Sequence, residues 1–436
     1  MTNSAADAVP DSTLNLLLCN MKDYKIFLCS SAVCVFAAVF VAAQEIPAPL
    51  TLRRCMSLAE ANSSELKIQS EKLKQAGYAY AQAWSGVWPA AGYEYAKLYR
   101  DTAGGAYQTG LSDSKFTFRQ PIFYGFRNTS AISYAKALVR KEELQYKTLH
   151  RNLEAVLTSA FYDLALADAD MANVKNSFKL LNERLGELKD RVRLGKSRRS
   201  EALAVESQLA TLEANEQKSY YDRSKAVEAL AFLTGLSPDS IAIIDDAPLP
   251  PGPGDLRKYI EAVRDRSDIE AARQDIVAQS YRLKAAKGAF LPTVNLDGSF
   301  YHIRSGSMAD SRWETLLSVE LPLFQGGARR SVVKQEASRL MQFEESVLFL
   351  ERRTETEVRG YYRLLDSSLK QAAAYGKAYD KAGESYRIQI KDYRYGLVNN
   401  LDVIQAMTGM LEAKKNLDRA LIEVKSAKAL LDITAE

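Results

Sequence analysis

Apolar positions along this chain keep one rhythm for very long stretches, switch to another for short ones, and do so twice. From Asn128 to Arg193 there is no proline, and Val174, Phe178, Leu181, Leu185, Leu188 and Val192 recur at steps of four and three. That is the spacing of a coiled-coil seam. About 66 helical residues at about 1.5 Å each reach roughly 100 Å, too far for a globular core. From Arg330 to Tyr395 the rhythm returns in Leu365, Leu369, Ala372, Gly376, Tyr379, Gly383, Tyr386, Ile390 and Tyr393. Each arm ends in a short polar break, Gly195–Glu201 or Gly396–Asp402. A return helix follows, from about Ala202 to Leu233 in the first case and ending near Ile433 in the second.

Elsewhere the period drops to two, the mark of strands with one buried or lipid-facing side. Residues 90–100 put Tyr93, Tyr95, Lys97 and Tyr99 on one face. Thr102–Ser112 reads as a Gly-rich loop, and Ser114–Gln120 puts Phe116 and Phe118 on one face until Pro121 ends the run. In the second half, Thr293–Ile303 sets Val294, Leu296 and Phe300 against Asn295, Asp297 and Ser299. After a loop at Arg304–Ser311, Trp313–Leu321 sets Trp313, Thr315, Leu317, Val319 and Leu321 against Glu314, Ser318 and Glu320.

Helices from Leu52 to Val87 and from Leu256 to Phe290 lead into these strands. They stop at Trp88-Pro89 and Leu291-Pro292, because proline pushes the preceding residue out of the helical region. The segments Pro121-Ile-Phe-Tyr-Gly125 and Pro322-Leu-Phe-Gln-Gly326, which begin at positions 121 and 322, turn strand into long helix. The same manoeuvre performed twice is an internal duplication. One unit covers 44–234, with strands at about 90–120 and a helical hairpin at 128–234. The other covers 255–436, with strands at about 293–321 and a hairpin at 330–433. Between them 235–254, with Pro238, Pro248, Pro250, Pro251 and Pro253, reads as a linker that cannot be helical. Two short helices end to end match one long arm, which suits a closed cylinder of helices.

Ahead of the first unit, Ile26–Ala43 is an apolar run preceded by Lys22 and Lys25 and closed by Val41-Ala42-Ala43. The small-residue ending predicts a secretory signal over 1–43, cleaved before Gln44; a retained membrane anchor is the alternative. Met21 is the better start for such a signal, which leaves 1–20 as an upstream extension. Cleavage removes Cys19, Cys29 and Cys34 and leaves Cys55, so no intrachain disulfide is expected. None of the four follows Gly, Ala or Ser in a lipobox-like context, so no lipid anchor is predicted. A net charge of +4 over 436 residues argues against a nucleic-acid partner.

Four strands of about ten residues have the length of membrane-spanning β-strands. Four cannot close a barrel, and an open edge in lipid is not viable. Either they form a small sheet in a soluble protein, or three chains share one barrel of twelve. The export signal favours the shared barrel.

With this duplicated helix–strand–strand–helix unit, its proline-terminated strand approaches, the two Pro-x-Phe-x-Gly turns and the hairpin tips, the chain resembles the TolC family of outer-membrane efflux proteins. The tips run Arg193-Leu-Gly195 through Glu201-Ala-Leu and Tyr393-Arg-Tyr-Gly396 through Asp402-Val-Ile, each with an acid six residues after the glycine. The resemblance covers essentially everything after Gln44. It implies a mainly α fold with membrane β: a homotrimer with a shared 12-stranded β-barrel in outer-membrane lipid and a 12-helix α-barrel across the periplasm. It also implies a periplasmic adaptor and an inner-membrane pump as partners, passive conduction, and no catalysis or cofactor. The residues matching the family's entrance constriction are Glu201, Tyr393 and Asp402. Those at the adaptor-facing tips are Gly195, Lys196, Ser197, Gly396, Leu397 and Val398, and those at the strand-to-helix turns are Pro121, Gly125, Pro322 and Gly326. Two positions depart from the family pattern: Val398 stands where some members carry a basic residue, and Gln405 where they carry a second acid.

Other readings stand beside these. Glu201 and Asp402 also suit first-turn helix acids. Lys196, Arg198 and Arg199 also suit a solvated turn, and Tyr379, Tyr386 and Tyr393 suit coiled-coil packing. His150 and His302 have no ligand-spaced neighbours, so no metal site is expected. No phosphate loop, GxSxG or HExxH is present. An exit duct for type I protein secretion is the second reading within the fold. A soluble extracytoplasmic coiled-coil scaffold or adaptor is the competitor from another class.

Overall fold

The computed structural model describes residues 49–100, 108–305 and 309–436. The signal over 1–43 and the extension over 1–20 lie outside the described residues. The chain after Pro47 forms one compact unit. Its order is α1 (Leu52–Asn62), α2 (Ser64–Ser85), β1 (Ala90–Arg100), β2 (Gln108–Tyr124), α3 (Arg127–Arg193), α4 (Arg199–Thr234), α5 (Leu256–Val263), α6 (Ser267–Gly288), β3 (Thr293–Ile303), β4 (Trp313–Glu320), α7 (Ala328–Arg394) and α8 (Asn400–Ala435). The two long arms have 67 residues each and the two return arms 36 each. The two halves therefore match in helix length as well as in element order.

Both short-helix pairs differ from the unbroken helices expected from the sequence. Between α1 and α2 the backbone leaves the helix at Ser63, whose hydroxyl accepts from the Leu66 amide at 3.2 Å. This N-cap satisfies a donor that a new helix otherwise exposes. Beside it Asn62 Nδ2 donates to the Thr234 carbonyl at 2.6 Å, tying the joint to the end of α4.

The second break falls at Arg264–Arg266, where Arg266 is extended. Here Asp268 takes Arg266 Nε at 3.0 Å and Arg151 Nη2 at 3.2 Å, while Arg266 Nη1 donates to the Thr434 carbonyl at 2.7 Å. Burial alone would raise the Asp268 carboxyl, but its bonds to Arg266 and the charge of Arg151 outweigh it and hold the group below its ordinary value. Burial lowers Arg151 despite its acidic partner.

The four strands form one antiparallel sheet in the order β1-β2-β3-β4, so β2 and β3 join the two repeats and β1 and β4 are the edges. Pro121 does not end its strand. β2 runs on to Tyr124, and Pro121 faces Asn295 beside a register shift between Pro121 and Phe123, the kind of bulge at which a strand tolerates proline. The loop expected over 102–112 is shorter, because Gln108–Ser112 already belong to β2 and 101–107 lie outside the described residues. The linker 235–254 contains one 3-10 turn, Pro238–Ser240, with proline where its fixed φ suits a helical start.

Three apolar clusters hold the helices. At the first joint, Leu157, Phe161 and Leu164 of α3 meet Cys55 of α1 and Leu230 of α4. At the second, Val358 and Leu365 of α7 meet Ile269 of α6 and Leu431 of α8. The third lies at the hairpin tips. Burial pushes the Cys55 thiol up to about 11, as expected of an inert core cysteine.

Candidate functional site

The two long arms end in the same way. Gly195 and Gly396 adopt left-handed φ of 71° and 76°. The Lys196 amide reaches back to the Arg191 carbonyl at 2.8 Å, and the Leu397 amide to the Asp392 carbonyl at 2.9 Å. Each glycine amide also bonds the carbonyl three residues before it, Val192 or Tyr393, at 3.0 and 3.1 Å. These are two Schellman endings, which need glycine because a Cβ disfavours that backbone. The polar breaks are shorter than expected, since α4 starts at Arg199 and α8 at Asn400.

Glu201 and Asp402 then occupy the same place, the third residue of the return helix. Asp402 closes a capping box: its amide donates to Asn399 Oδ1, and the Asn399 amide donates to its carboxylate, both at 3.1 Å. Arg198 caps α4 and offers no acceptor side chain. Glu201 Oε2 instead accepts from Ser197 Oγ at 2.7 Å and from Tyr393 Oη at 3.4 Å. The second of these bonds crosses from one hairpin to the other.

Tyr393 is buried among Leu181, Leu185, Leu188 and Val205 of the first hairpin and Val403, Ile404 and Met407 of its own. The guanidinium carbon of Arg184 lies 4.3 Å from the centre of its ring, and that of Arg191 4.6 Å. Such contacts contribute about 0.5–2 kcal/mol each, more when water is excluded. Arg184 is itself only 4% exposed and donates from Nε and Nη2 to Asn400 Oδ1, at 3.0 and 2.6 Å. Its Nη1 donates to Glu187 at 2.6 Å. Asn400 is 1% exposed, and its Nδ2 finds no acceptor. The contacts Arg184–Asn400, Arg184–Tyr393, Arg191–Tyr393 and Tyr393–Glu201 thus clasp the two hairpins together.

The structure brings together Glu201, Tyr393 and Ser197 of the residues singled out from the sequence. It does not bring Asp402 to them, because the cap holds it. Gly195, Lys196, Gly396 and Leu397 are exposed at the ends, while Val398 turns inward onto the tip cluster. Of the tyrosine stripe, Tyr386 also packs on that cluster, where burial raises its phenol, and the Tyr379 ring lies 5.6 Å from Lys414 Nζ.

Sequence reasoning passed over Arg184, Arg191 and Asn400. Arg184 carried a signal: it sits three after Leu181 and four before Leu188, a charge on the core-facing stripe, which needs a partner if buried. His150 pairs with Glu60 at 2.9 Å, and no group of three or more His, Cys, Asp or Glu is placed to hold a metal among the described residues.

At the other end, the sheet has two unlike faces. Tyr93, Phe116, Phe118, Phe300, Trp313, Leu317 and Val319 lie on one side, all exposed. The opposite side carries Lys115–Glu94 at 3.3 Å, Arg119–Asp297 at 2.6 Å and Arg304–Glu314 at 2.9 Å, with Leu98 and Leu316 as exposed apolar exceptions. Below it, the β2–α3 turn closes on Gly125 (φ 62°), where an added Cβ would lie 2.2 Å from the Gly288 carbonyl oxygen. Around Gly326 (φ 58°), the matching turn residue of the second repeat, the space is open. Among the described residues no helix is long and apolar enough to cross a membrane.

Comparison with known proteins adds to this geometry. The family described as outer membrane efflux protein matches residues 259–432. The outer membrane protein TolC of Escherichia coli K12 is 23% identical over 351 residues, covering 76% of this chain and 70% of TolC. The alkaline protease secretion protein AprF of Pseudomonas aeruginosa is 25% identical over 337 residues, covering 73% of this chain and 68% of AprF. Among solved structures, the outer membrane protein VceC of Vibrio cholerae superposes with a TM-score of 0.75 at 20% identity, covering 88% of this chain and 94% of that one.

Proposed function

We propose that the chain is a member of the TolC family of outer-membrane efflux proteins, which its likeness to an outer membrane efflux model and to TolC supports, and that three copies form one passive duct, a 12-stranded β-barrel in the outer membrane continued by a 12-helix tunnel through the periplasm. One observation carries the reading: a sheet with one exposed apolar face, one ion-paired polar face and two free edges stands on helical arms of roughly 100 Å. Such a sheet cannot face lipid alone, because its edge amides and carbonyls would be unsatisfied. Copies that join edge to edge satisfy them and set the ion pairs toward a water-filled interior. The likeness to outer-membrane efflux proteins and this exposed apolar face argue against a soluble scaffold.

In this reading an N-terminal signal within 1–43 exports the chain. The hairpin tips meet a periplasmic adaptor, which links the duct to an inner-membrane pump that supplies the energy. The clasp around Tyr393 holds the entrance narrow. Cell fractionation with gel mobility before and after heating tests the assembly. The expected result is an outer-membrane oligomer that heat converts to monomer; a soluble periplasmic monomer would reject the reading.

The likeness to a protease secretion protein favours a second reading within the same fold, an exit duct for type I protein secretion. Deleting the chain separates the two. Loss of an exported protein from the medium with unchanged drug tolerance supports secretion, and the reverse supports small-molecule efflux.

A further inference from the structure

All four junctions between sheet and helices lie at one end of the sheet, where β1 and β3 begin and β2 and β4 end. Each carries an exposed large apolar side chain: Trp88 before β1, Phe126 after β2, Phe290 before β3, and Leu323 and Phe324 after β4, the last two 88% exposed. The junctions, 86–89, 125–126, 289–292 and 321–327, contain no charged residue. They extend the apolar side of the sheet towards the helices.

Immediately beyond them the charge has one sign. The two helical turns next to the sheet, 78–85, 127–134, 281–288 and 328–335, hold no Asp or Glu, although the chain as a whole has 58 Lys and Arg against 54 Asp and Glu. Three of the cations there are engaged. The Arg127 guanidinium carbon lies 4.1 Å from the centre of the Tyr124 ring, that of Arg282 lies 5.4 Å from the centre of the Tyr134 ring, and Arg329 Nε donates to Gln325 Oε1 at 2.9 Å. Lys284 and Lys287 of α6 and Arg330 and Lys334 of α7 are exposed and form no ion pair among the described residues. Further along the helices exposed cations do find acids, as Lys74 finds Glu71, Lys370 finds Asp366 and Lys381 finds Glu384. At about 1.5 Å per residue, the unpaired cations sit about 2–9 Å from the helix ends that meet the sheet. One headgroup layer is about 5–8 Å deep.

We propose that Lys284, Lys287, Arg330 and Lys334 form a belt that binds the phosphates of anionic phospholipids in the leaflet next to the helices. This rests on the reading that the sheet spans the outer membrane. The occupant is lipid because the belt continues the lipid-facing side of the sheet through the apolar junctions. It is anionic lipid because no neighbouring acid offsets the four cations. Their long stems lie along apolar surface while the charge reaches the phosphate layer. Within a Debye length of an anionic surface, each such cation favours binding by about fivefold. The belt thereby fixes the height at which the duct sits in the membrane.

Tryptophan quenching with the full chain tests this. Trp84 and Trp88 flank the junction before β1, and Trp313, the third tryptophan, opens β4 at the far end of the sheet. Trp313→Phe therefore leaves the fluorescence beside the belt. The purified oligomer is placed in vesicles of phosphatidylglycerol and phosphatidylcholine in equal amounts, with brominated chains on one lipid or the other. Brominated phosphatidylglycerol is expected to quench as if enriched at least about threefold beside the belt, and the enrichment is expected to fall in about 1 M salt. Replacing all four cations by Gln is expected to abolish it while the oligomer keeps its mobility on unheated gels. The milder pair Lys287→Gln with Arg330→Gln is expected to reduce it by at least about half. Equal quenching by the two lipids before any of the four is replaced, or enrichment that survives the Gln substitutions, would overturn the proposal. So would a shift of the reversal potential towards cations with quenching unchanged, which would put the four charges on the wall of the duct. Quenching by neither lipid would instead reject the membrane reading itself.

Discussion

The two hairpin tips share a backbone and divide the labour. Each ends its long helix on a left-handed glycine and puts an acid third in the return helix. At the second tip Asn399 precedes that helix and engages Asp402 in a reciprocal cap. At the first tip Arg198 holds the same place, and a guanidinium accepts no hydrogen bond. Glu201 is thereby released to reach Ser197 and, across the hairpins, Tyr393. One residue before the helix thus decides whether the acid serves its own helix or the neighbouring hairpin.

Substitutions break or sharpen this contrast in graded steps. Tyr393→Ala empties the buried ring site that both hairpins share. It is expected to cost about 3–5 kcal/mol at both tips, read as faster amide exchange over 184–205 and 393–407. Arg184→Met keeps the stem but leaves Asn400 Oδ1 without its donor, for about 1–3 kcal/mol by the same readout. Asn399→Ala is expected to cost about 1 kcal/mol, with exchange rising at the start of α8 and little change at α4. Arg198→Asn offers α4 the box that α8 has. It is expected to stabilise the start of α4 by up to about 1 kcal/mol while drawing Glu201 away from Tyr393, seen as slower exchange at α4 and a changed Tyr393 environment.

Much of the fold could be read from periodicity because the signals are long. A four-three rhythm sustained over α3 and α7, and alternation in β1, β3 and β4, place these elements to within two residues of their observed bounds. The breaks at Ser63 and Arg264–Arg266 escaped because no proline or glycine marks them. A hydroxyl cap makes the first, and a buried Arg151–Asp268–Arg266 cluster holds the second, drawing on residues distant in sequence. Pro121 misled because a bulge accommodates it within the strand. At the tips, resemblance to the family supplied Glu201 and Tyr393, while the reading of Asp402 as a first-turn helix acid matches its cap. The link from Arg184 to Asn400 joins positions 216 apart in sequence, and no local pattern pairs them.

In the proposed duct the hairpins are clasped at the mouth, where Tyr393 meets Arg184, Arg191 and Glu201. Single-channel recording of the purified oligomer in planar bilayers tests this most directly. Small conductance steps are expected from the unaltered protein, a clear increase from Glu201→Ala, and little change from Asp402→Ala, whose carboxylate is spent on its own helix. An increase confined to Asp402→Ala, or a membrane-inserted oligomer that conducts nothing with the clasp removed by Tyr393→Ala, would contradict it.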